Sequence, residues 1–403
     1  MSIGFRGWCG LWGILVSVGA QIFGAAGDGV GLSRNTPGWG TGGGHSMHEI
    51  WVLGANGRCG RAITHHLAGA KLSPVLVGRD GMGLRNLAAA VGDDTRVVTV
   101  ATIKDVIGEI ARNAPKVVIN TIGPFGDSAL PMAQACPAGT HYVDLSNEIS
   151  SILALLELDA EARIADRTIV TGAGFGVLAA ESVVMALCKD LPAARRIRVT
   201  TVPMMPATSY RIGSAMAGSI LSSLALGGLQ YADAQLGHVP AFGDMEVLAL
   251  PDGARIETFA VPSGELVAAQ RASRADFVVA ASSLAPGSPL WRRMLPMAAR
   301  LWQLRVFRNF ACRLLADVEL KSGASIGMNS WAHARVEWAS GTIRQGWLRT
   351  GEIMAFTASV AADIALRLAR DEGRAGAYTP GALFGPDLAI GAGGEFQLDR
   401  EIT

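Results

Sequence analysis

Residues 49–61 read Glu49-Ile50-Trp51-Val52-Leu53-Gly54-Ala55-Asn56-Gly57-Arg58-Cys59-Gly60-Arg61, an apolar strand and then three glycines at intervals of three. Residues 62–68 can continue from this loop as a helix. The first two glycines permit a tight turn and a close approach of the backbone to a phosphate, and the third lets the helix pack near the strand. Free N–H groups and the positive dipole end at the helix N-terminus favour an anion. The unit predicts a phosphate-binding loop whose cofactor contacts are Gly54, Asn56, Gly57, Arg58, Cys59 and Gly60.

The second apolar strand, residues 74–77, ends in Gly78-Arg79-Asp80. This point lies about 20 residues past the loop, where a dinucleotide-binding fold contacts the adenosine ribose. An acid alone there favours NAD, whereas an arginine accommodates the 2′-phosphate of NADP. Because Arg79 comes first, the sequence predicts NADP(H), and Asp80 keeps NAD open. The alternative is that Arg79 is only a solvated residue at a strand end.

The pattern of strand and helix then repeats along the chain. Strands are predicted at 96–100, 116–120, 141–145 and 168–170, and helices at 103–110, 130–136 and 159–165. Alternating βα units predict a doubly wound, Rossmann-type parallel sheet with right-handed crossovers. Ligands of such sheets bind at the carboxyl ends of the strands. The glycine loop, Arg79, the turn Gly123-Pro124-Phe125 and the segment from Asp144 to Glu148 are therefore expected on one rim. All three residues of the turn are predicted cofactor contacts, and Phe125 is expected to pack near the nicotinamide, with an ordinary core position as the alternative.

Five motifs between residues 48 and 175 resemble the saccharopine dehydrogenase-like oxidoreductases, and more closely the bacterial branch that includes the trans-acting enoyl reductases. They are residues 54–61, 78–80 and 123–125, the run Gly139-Thr140-His141-Tyr142-Val143-Asp144-Leu145, and Gly174-Phe175. Weaker similarity continues at 262–265, 331–335 and 379–385. The resemblance implies an NADP-binding Rossmann domain, a second α+β domain with an open mixed sheet, and a C-terminal helix that packs back on the first domain.

The chain departs from the family pattern at two positions. The family often has a glycine between the Ser or Thr and the Glu after the Asp144-type strand, and here that position is Asn147. The family segment after Gly-Phe commonly begins with an acid, and here it is Gly176. The second departure puts in doubt a substrate contact or catalytic role at that point.

Four segments are expected. Residues 1–46 form a flexible or artefactual extension, 47–175 the Rossmann domain, 176–350 the α+β substrate domain, and 351–403 a C-terminal helix and tail on the Rossmann domain. The first segment has 14 of the 50 glycines and only three charges, and residues 7–27 carry no charge at all. A membrane anchor or a signal peptide is the alternative there, although six glycines in those 21 residues weaken a helix.

In the second half, residues 209–229 are small, apolar and almost uncharged, and a buried helix lining the substrate cleft is favoured over a membrane span. Hairpins are predicted around the turn at 251–253 and between residues 331–338 and 343–348. The stretch from 291 to 315 is apolar and arginine-rich, so a membrane surface or an acidic, carrier-bound substrate is an alternative to a solvated helix face.

Composition excludes several classes of protein. The chain has 35 Lys plus Arg and 34 Asp plus Glu, and this near-neutral balance argues against nucleic acid. Half of the 403 residues are apolar, which excludes disorder over the whole length. Five scattered cysteines and seven histidines show no disulfide framework and no metal spacing. A reducing, cytoplasmic location is the simplest interpretation. A homodimer is left open.

A reductase needs a group that places the substrate or supplies a proton, and the rim offers Tyr142, Asp144 and Glu148, with Tyr210 from the second half. Tyr142 and Asp144 lie on the same strand face and are the predicted catalytic residues. A turn-capping role for Asp144 is an equal alternative. The predicted function is NADPH-dependent hydride transfer to a C=C, C=N or C=O bond of a hydrophobic or small-molecule, lipid-like substrate. Two alternatives are an amino-acid or imine-type dehydrogenase and a non-catalytic NADP(H)-binding partner.

Overall fold

The computed structural model describes residues 49–92, 94–204, 210–284, 305–320 and 329–399. The predicted N-terminal extension, residues 1–46, lies outside these ranges, as do residues 291–304 of the arginine-rich stretch.

The first sheet is parallel and has seven strands. They are β1 (Ile50–Leu53), β2 (Val75–Gly78), β3 (Val97–Thr99), β4 (Val117–Asn120), β5 (His141–Asp144), β6 (Thr168–Val170) and β17 (Gly376–Tyr378). Their spatial order is β17-β6-β5-β4-β1-β2-β3. The order reverses between β1 and β4. In dinucleotide-binding folds, the ligand binds at the carboxyl ends of the strands where the order reverses. The predicted fold class is confirmed.

The connections between these strands are helical. The helices are α1 (Arg58–Gly69), α2 (Gly81–Val91), α3 (Ile103–Asn113), α4 (Phe125–Ala135), α5 (Ile149–Leu156) and α6 (Asp159–Ile164). The predicted helix at 130–136 starts five residues earlier, at Phe125, directly after a turn that ends in proline. Helices α2 and α5 were not predicted, and six of the eight residues of α5 are apolar, so that it shows no helical alternation of apolar and polar residues.

The sheet is covered on both faces, which explains the continuous apolar strands. Ile50 and Val52 of β1 belong to one buried cluster, whereas Trp51 and Leu53 belong to another. All four residues of β1 are buried. Because successive side chains of a strand point to opposite faces, this division places one core on each side of the sheet.

The second sheet is mixed. Its nine strands are β7 (Arg196–Val202), β9 (Gly228–Ala232), β10 (Gln235–Val239), β11 (Glu246–Ala249), β12 (Arg255–Ala260), β13 (Phe277–Ser282), β15 (Ser330–Glu337), β16 (Ile343–Thr350) and β18 (Glu395–Leu398). The main path is β10-β9-β13-β7-β15-β16-β18, and β12 joins β11 to β13. Both predicted hairpins are confirmed, since β11 pairs with β12 and β15 with β16. A separate two-stranded sheet joins β8 (Tyr210–Arg211) to β14 (Glu319–Leu320).

Helices α7 (Phe175–Cys188) and α9 (Gly264–Ser273) pack against each other and against the second sheet. The small apolar stretch after residue 209 forms α8 (Ser214–Leu226), which packs on α10 (Arg305–Ala316) through Ala217, Leu221, Ala311 and Leu315. No helix of the described ranges has both the length and the apolarity needed to cross a membrane.

The C-terminal segment divides between the two sheets. Helix α11 (Ile353–Ala369) packs on α1 and touches β4 and β5, and β17 extends the first sheet beside β6. The short helices α12 (Pro380–Phe384) and α13 (Asp387–Gly391) follow, and β18 then pairs with β16 in the second sheet. The tail expected to pack on the Rossmann domain therefore ends as an edge strand of the other sheet.

Candidate functional site

The glycine loop joins β1 to α1 at the carboxyl edge of the first sheet. Gly54 has a positive φ of 74°, a conformation that L side chains rarely adopt. Its N–H donates to the Val77 carbonyl at 2.8 Å, and the Gly57 N–H donates to the Gly54 carbonyl at 2.8 Å. A Cβ on Gly60 would lie 2.7 Å from the Cα of Ala55 and closer still to the Gly54 carbonyl oxygen. Glycine at position 60 therefore lets α1 begin directly against the loop.

The N-terminus of α1 carries no carboxylate of its own. Its N-cap, Gly57, has no side chain, and no acidic residue occurs in the first turn. The first N–H groups of a helix have no partner within the helix, and its dipole favours a negative charge. The start of α1 is therefore a site where an anion such as a phosphate can be bound.

Asn56 links the loop to the end of β2. Its Nδ2 donates to the Asp80 carbonyl at 2.8 Å, and its backbone carbonyl accepts from Arg61 Nε at 3.1 Å. Its buried Oδ1 has no hydrogen-bond partner among the described residues. An amide oxygen at this position can accept a hydrogen bond from a ligand bound between the loop and β2.

Arg58 and Cys59 start α1 and have different surroundings. Arg58 Nη2 donates to the Ile212 carbonyl at 2.7 Å, so the loop contacts the second half of the chain. Burial raises the pKa of the Cys59 thiol to about 11. A thiol with such a pKa stays neutral and is a poor nucleophile, which agrees with a packing role.

At the end of β2, Arg79 and Asp80 are both exposed. The Asp80 carboxylate caps α2 by accepting a hydrogen bond from the Gly83 N–H at 3.0 Å. This carboxylate is engaged at a helix N-terminus, whereas the structure records no hydrogen bond or ion pair of the Arg79 side chain among the described residues.

The turn Gly123-Pro124-Phe125 follows β4 and is held to the β1 edge and to Glu148. Thr121 Oγ1 donates to the Leu53 carbonyl at 2.7 Å, which ties the strand end to the phosphate loop. The peptide between Gly123 and Pro124 is cis. The Phe125 N–H donates to Glu148 Oε1 at 2.9 Å. The structure thus brings this turn, the glycine loop and the end of β2 to one rim.

The predicted catalytic residues Tyr142 and Asp144 lie on one strand face, as expected, but both are fully buried. The Tyr142 hydroxyl accepts from Asn120 Nδ2 at 3.0 Å and donates to Asp144 Oδ2 at 3.3 Å. Burial is the main cause that raises the Tyr142 pKa well above its usual value. Both side chains are enclosed by the described residues, so a catalytic role for either one stays a prediction.

Asp144 instead closes the turns after β5 and β6. Its Oδ1 accepts from Thr171 Oγ1 at 2.9 Å and from the N–H groups of Ser146 and Gly172 at 3.0 and 3.1 Å. Burial raises its pKa to about 6, and these hydrogen bonds act in the opposite direction. The alternative of a turn-capping role is the one that the geometry supports.

The carboxylate of Glu265, which was not among the predicted site residues, lies next to Gly176. A Cβ on Gly176 would lie 3.1 Å from Asn147 Nδ2 and closer still to Glu265 Oε1. Asn147 Nδ2 donates to this Oε1 at 3.2 Å, and the Asn147 Oδ1 accepts from the Gly264 N–H at 2.9 Å. Both departures from the family pattern therefore meet at one point, where the second half of the chain supplies a buried acid.

Glu265 is only 3% exposed, and burial raises the pKa of its carboxyl. Hydrogen bonds from Ser263, Asn147 and Thr201 favour the ionised form and oppose that rise. Only its place in the motif at 262–265 marks this acid in the sequence, because two of its partners, Asn147 and Thr201, are far away along the chain. The side chain of the other candidate, Tyr210, lies outside the part of the chain that the structure describes.

Within the described ranges, no group of three or more His, Cys, Asp and Glu side chains is placed to hold a metal ion. The parts assembled at the rim are a helix N-terminus without a carboxylate, an amide oxygen and an arginine that have no hydrogen-bond partner among the described residues, and a turn beside a buried glutamate. Together with the strand order, they place the chain in the class of Rossmann-type folds.

Comparison with known proteins agrees with this class. The trans-acting enoyl reductase of Mycobacterium leprae (strain TN) is 32% identical over 108 residues, and that of Mycobacterium ulcerans (strain Agy99) is 34% identical over 108 residues. Each match covers 25% of this chain and 26% of the relative, so the similarity spans about a quarter of these proteins. No protein-family model matches the chain.

Among solved structures, apo saccharopine dehydrogenase (L-Glu forming) from Saccharomyces cerevisiae is similar with a TM-score of 0.57 and 14% sequence identity. The superposition covers 88% of this chain and 100% of that protein. The chain therefore has the fold of this dehydrogenase and a stretch of sequence similar to enoyl reductases. The resemblance predicted from the sequence is confirmed.

Proposed function

We propose that the protein is an NADPH-dependent reductase that transfers a hydride to a C=C, C=N or C=O bond of a hydrophobic small molecule. The residues at the rim fit a dinucleotide. The start of α1 offers N–H groups to phosphate, Gly60 keeps that helix close to the loop, and Asn56 offers a buried acceptor beside β2. The cofactor, when bound, supplies the hydride, and the protein supplies placement and electrostatics.

The observation that carries the preference for NADP(H) is the division of roles at the end of β2. The Asp80 carboxylate caps α2 through Oδ1, which accepts from the Gly83 N–H, so part of its accepting capacity is already used at that helix N-terminus. Arg79 remains as the charged group at the ribose position, and a guanidinium suits a phosphate. This arrangement favours a 2′-phosphate over two free hydroxyls.

Substitution of Arg79 by Ala tests this assignment. Loss of a charged hydrogen-bonding partner costs about 1.5–3 kcal/mol, which corresponds to roughly 10- to 100-fold in affinity. We expect the variant to lose NADPH affinity by this factor in a fluorescence titration and to keep its NADH affinity within about twofold, because NADH has no 2′-phosphate.

The matched control for this variant is Arg112→Ala. Arg112 lies in the last turn of α3, which leads into the amino end of β4, so the same charge is removed far from the rim. If Arg79→Ala lowers the affinity for NADPH and the affinity for NADH by the same factor, the role proposed for Arg79 is rejected.

The reaction class rests on the relatives. The names of the curated relatives describe enoyl reductases, and the matched quarter makes reduction of a C=C bond the first reaction to test. The rate of NADPH oxidation, measured with enoyl, keto and imino substrates, distinguishes reduction of a C=C bond from reduction of an imine. Turnover of an imino acid alone would favour the amino-acid dehydrogenase alternative.

The missing acid at Gly176 favours a second candidate, a non-catalytic NADP(H)-binding protein. The position of Glu265 weakens this argument, because its carboxylate lies beside Gly176. NADPH binding without turnover of any of the three substrate classes would support this second candidate.

A further inference from the structure

Helix α8 of the second half lies directly against the turn at the end of β4. A Cβ on Gly123 would lie 3.0 Å from the Cβ of Ala215. A Cβ on Gly218 would lie 3.2 Å from the Cβ of Pro124 and closer still to its Cγ. Small residues on both sides thus allow α8 to cover the Gly123–Pro124 turn at van der Waals distance.

Glu148 makes the polar part of this contact. Its Oε1 accepts from the Phe125 N–H at 2.9 Å and its Oε2 accepts from the Gly126 N–H at 3.1 Å, so it binds the N-terminus of α4. The same Oε1 accepts from Ser219 Oγ on α8 at 2.7 Å. Glu148 is 3% exposed. One buried carboxylate therefore bridges the turn on the Rossmann side and the helix that covers it.

A second polar contact ties the start of α8 to the phosphate loop. Arg58 Nη2 donates to the Ile212 carbonyl, two residues before α8 begins. The helix is thus connected at its start to the loop predicted to bind phosphate, and in its middle to the turn predicted to lie beside the nicotinamide. Both ends of the predicted dinucleotide site are in contact with α8 or the residues that precede it.

We propose that Glu148 is a positioning residue that couples closure of α8 to the placement of the Gly123–Phe125 turn. The Glu148 carboxylate can bind both α8 and the turn only while the Ser219 hydroxyl is within hydrogen-bond distance. Movement of α8 away from the rim therefore removes the Ser219 hydroxyl and leaves the two backbone N–H donors. This proposal rests on the proposed function, because it assigns α8 as the element that retains the bound dinucleotide. Glu148 acts through the turn and not on the substrate.

Ser219→Ala tests the coupling with NADPH as the probe. It removes the bridge to α8 and leaves the two backbone hydrogen bonds of Glu148 in place. Loss of one hydrogen bond to a charged group should raise the NADPH dissociation rate about tenfold in stopped-flow displacement and leave the association rate nearly unchanged. Hydrogen–deuterium exchange should show that NADPH protects residues 214–226 in the wild type and protects them less in the variant.

Two further variants serve as controls. Ser223→Ala is the same chemical change one turn further along α8, at a half-buried side chain that makes no hydrogen bond among the described residues. Its dissociation rate should stay within twofold of the wild type. Ser219→Thr keeps the hydroxyl and should restore most of the slow dissociation and the protection of α8.

The outcomes separate this proposal from the one on which it rests. If NADPH binds the wild type, but Ser219→Ala and Ser223→Ala release it equally fast with unchanged protection of α8, the coupling through Glu148 is overturned and the proposed function stands. If the wild type binds neither NADPH nor NADH, the proposed function itself fails.

Discussion

Two glycines of one helix allow a matched test of the phosphate loop. Gly60 and Gly69 both belong to α1, and each can be replaced by Ala. At position 60 the new Cβ would meet backbone atoms, 2.7 Å from the Ala55 Cα and closer to the Gly54 carbonyl oxygen. At position 69 it would meet nothing within 4 Å. The substitution is the same, and only the surroundings differ.

The expected magnitudes follow from these distances. Overpacking in a well-packed interior costs about 1–3 kcal/mol, and backbone neighbours cannot rotate away, so Gly60→Ala should lie near the upper end. Ala in place of Gly at an unstrained helical position gains about 0.4–1 kcal/mol, so Gly69→Ala should be slightly more stable than the wild type. Urea unfolding should separate the two variants by about 3 kcal/mol.

Cofactor binding should follow the same order. A Cβ on Gly60 must push α1 away from the loop, which moves the N–H groups that are proposed to bind phosphate. We expect Gly60→Ala to lose at least about tenfold in NADPH affinity and Gly69→Ala to keep it. Equal stability and equal affinity of the two variants would refute the proposed role of the close contact.

Three further predictions concern buried carboxyl groups. Asp144→Asn should destabilise the fold by about 1–3 kcal/mol in urea, because the amide faces donors of the Asp144 turn, and normal stability with lost activity would restore Asp144 as a catalytic residue. Glu181 accepts a hydrogen bond from Thr379, and burial raises the pKa of its carboxyl to about 7. Because the folded protein then holds this proton more tightly than the unfolded chain, the protonated carboxyl stabilises the fold below about pH 4.5. This stabilisation is lost as the pH rises to 7. Glu181→Gln should flatten that decline, and parallel pH profiles would contradict the assignment. Gly176→Ala should destabilise the fold less when Glu265 is also Ala, with about 0.5–3 kcal/mol of coupling in a double-mutant cycle, and strict additivity would contradict their contact.

Local pattern was sufficient to predict the first sheet. The strand at Ile50–Leu53, the glycines after it and Arg79 are close together in the chain. Their order predicts a strand, a phosphate loop and a ribose position before any tertiary contact is known, and the structure has the two strands. The alternation of βα units then predicted a parallel sheet with right-handed crossovers, whereas the spatial order of its strands comes from the structure. The same reasoning placed Tyr142 and Asp144 on one face correctly.

The contacts within the candidate site could not be predicted from the sequence, because they join residues that are far apart in the chain. Ser219 reaches Glu148 across 71 positions, and Asn147 reaches Glu265 across 118. Burial also decides whether Asp144 contacts a ligand or closes a turn, and an alternating pattern shows which face a residue is on but not how deep that face lies. Contacts between distant residues and the depth of burial are properties of the folded chain, so a local sequence pattern does not predict them.

Titration of the wild-type protein with NADPH and with NADH, followed by fluorescence or calorimetry, tests the central claim most directly. The arrangement of the glycine loop, Asn56 and Arg79 predicts saturable binding of NADPH at one site per chain, tighter than that of NADH by about tenfold or more. Saturable binding of NADH alone would contradict the cofactor preference, and no binding of either nucleotide would contradict the assignment of this rim as a dinucleotide site.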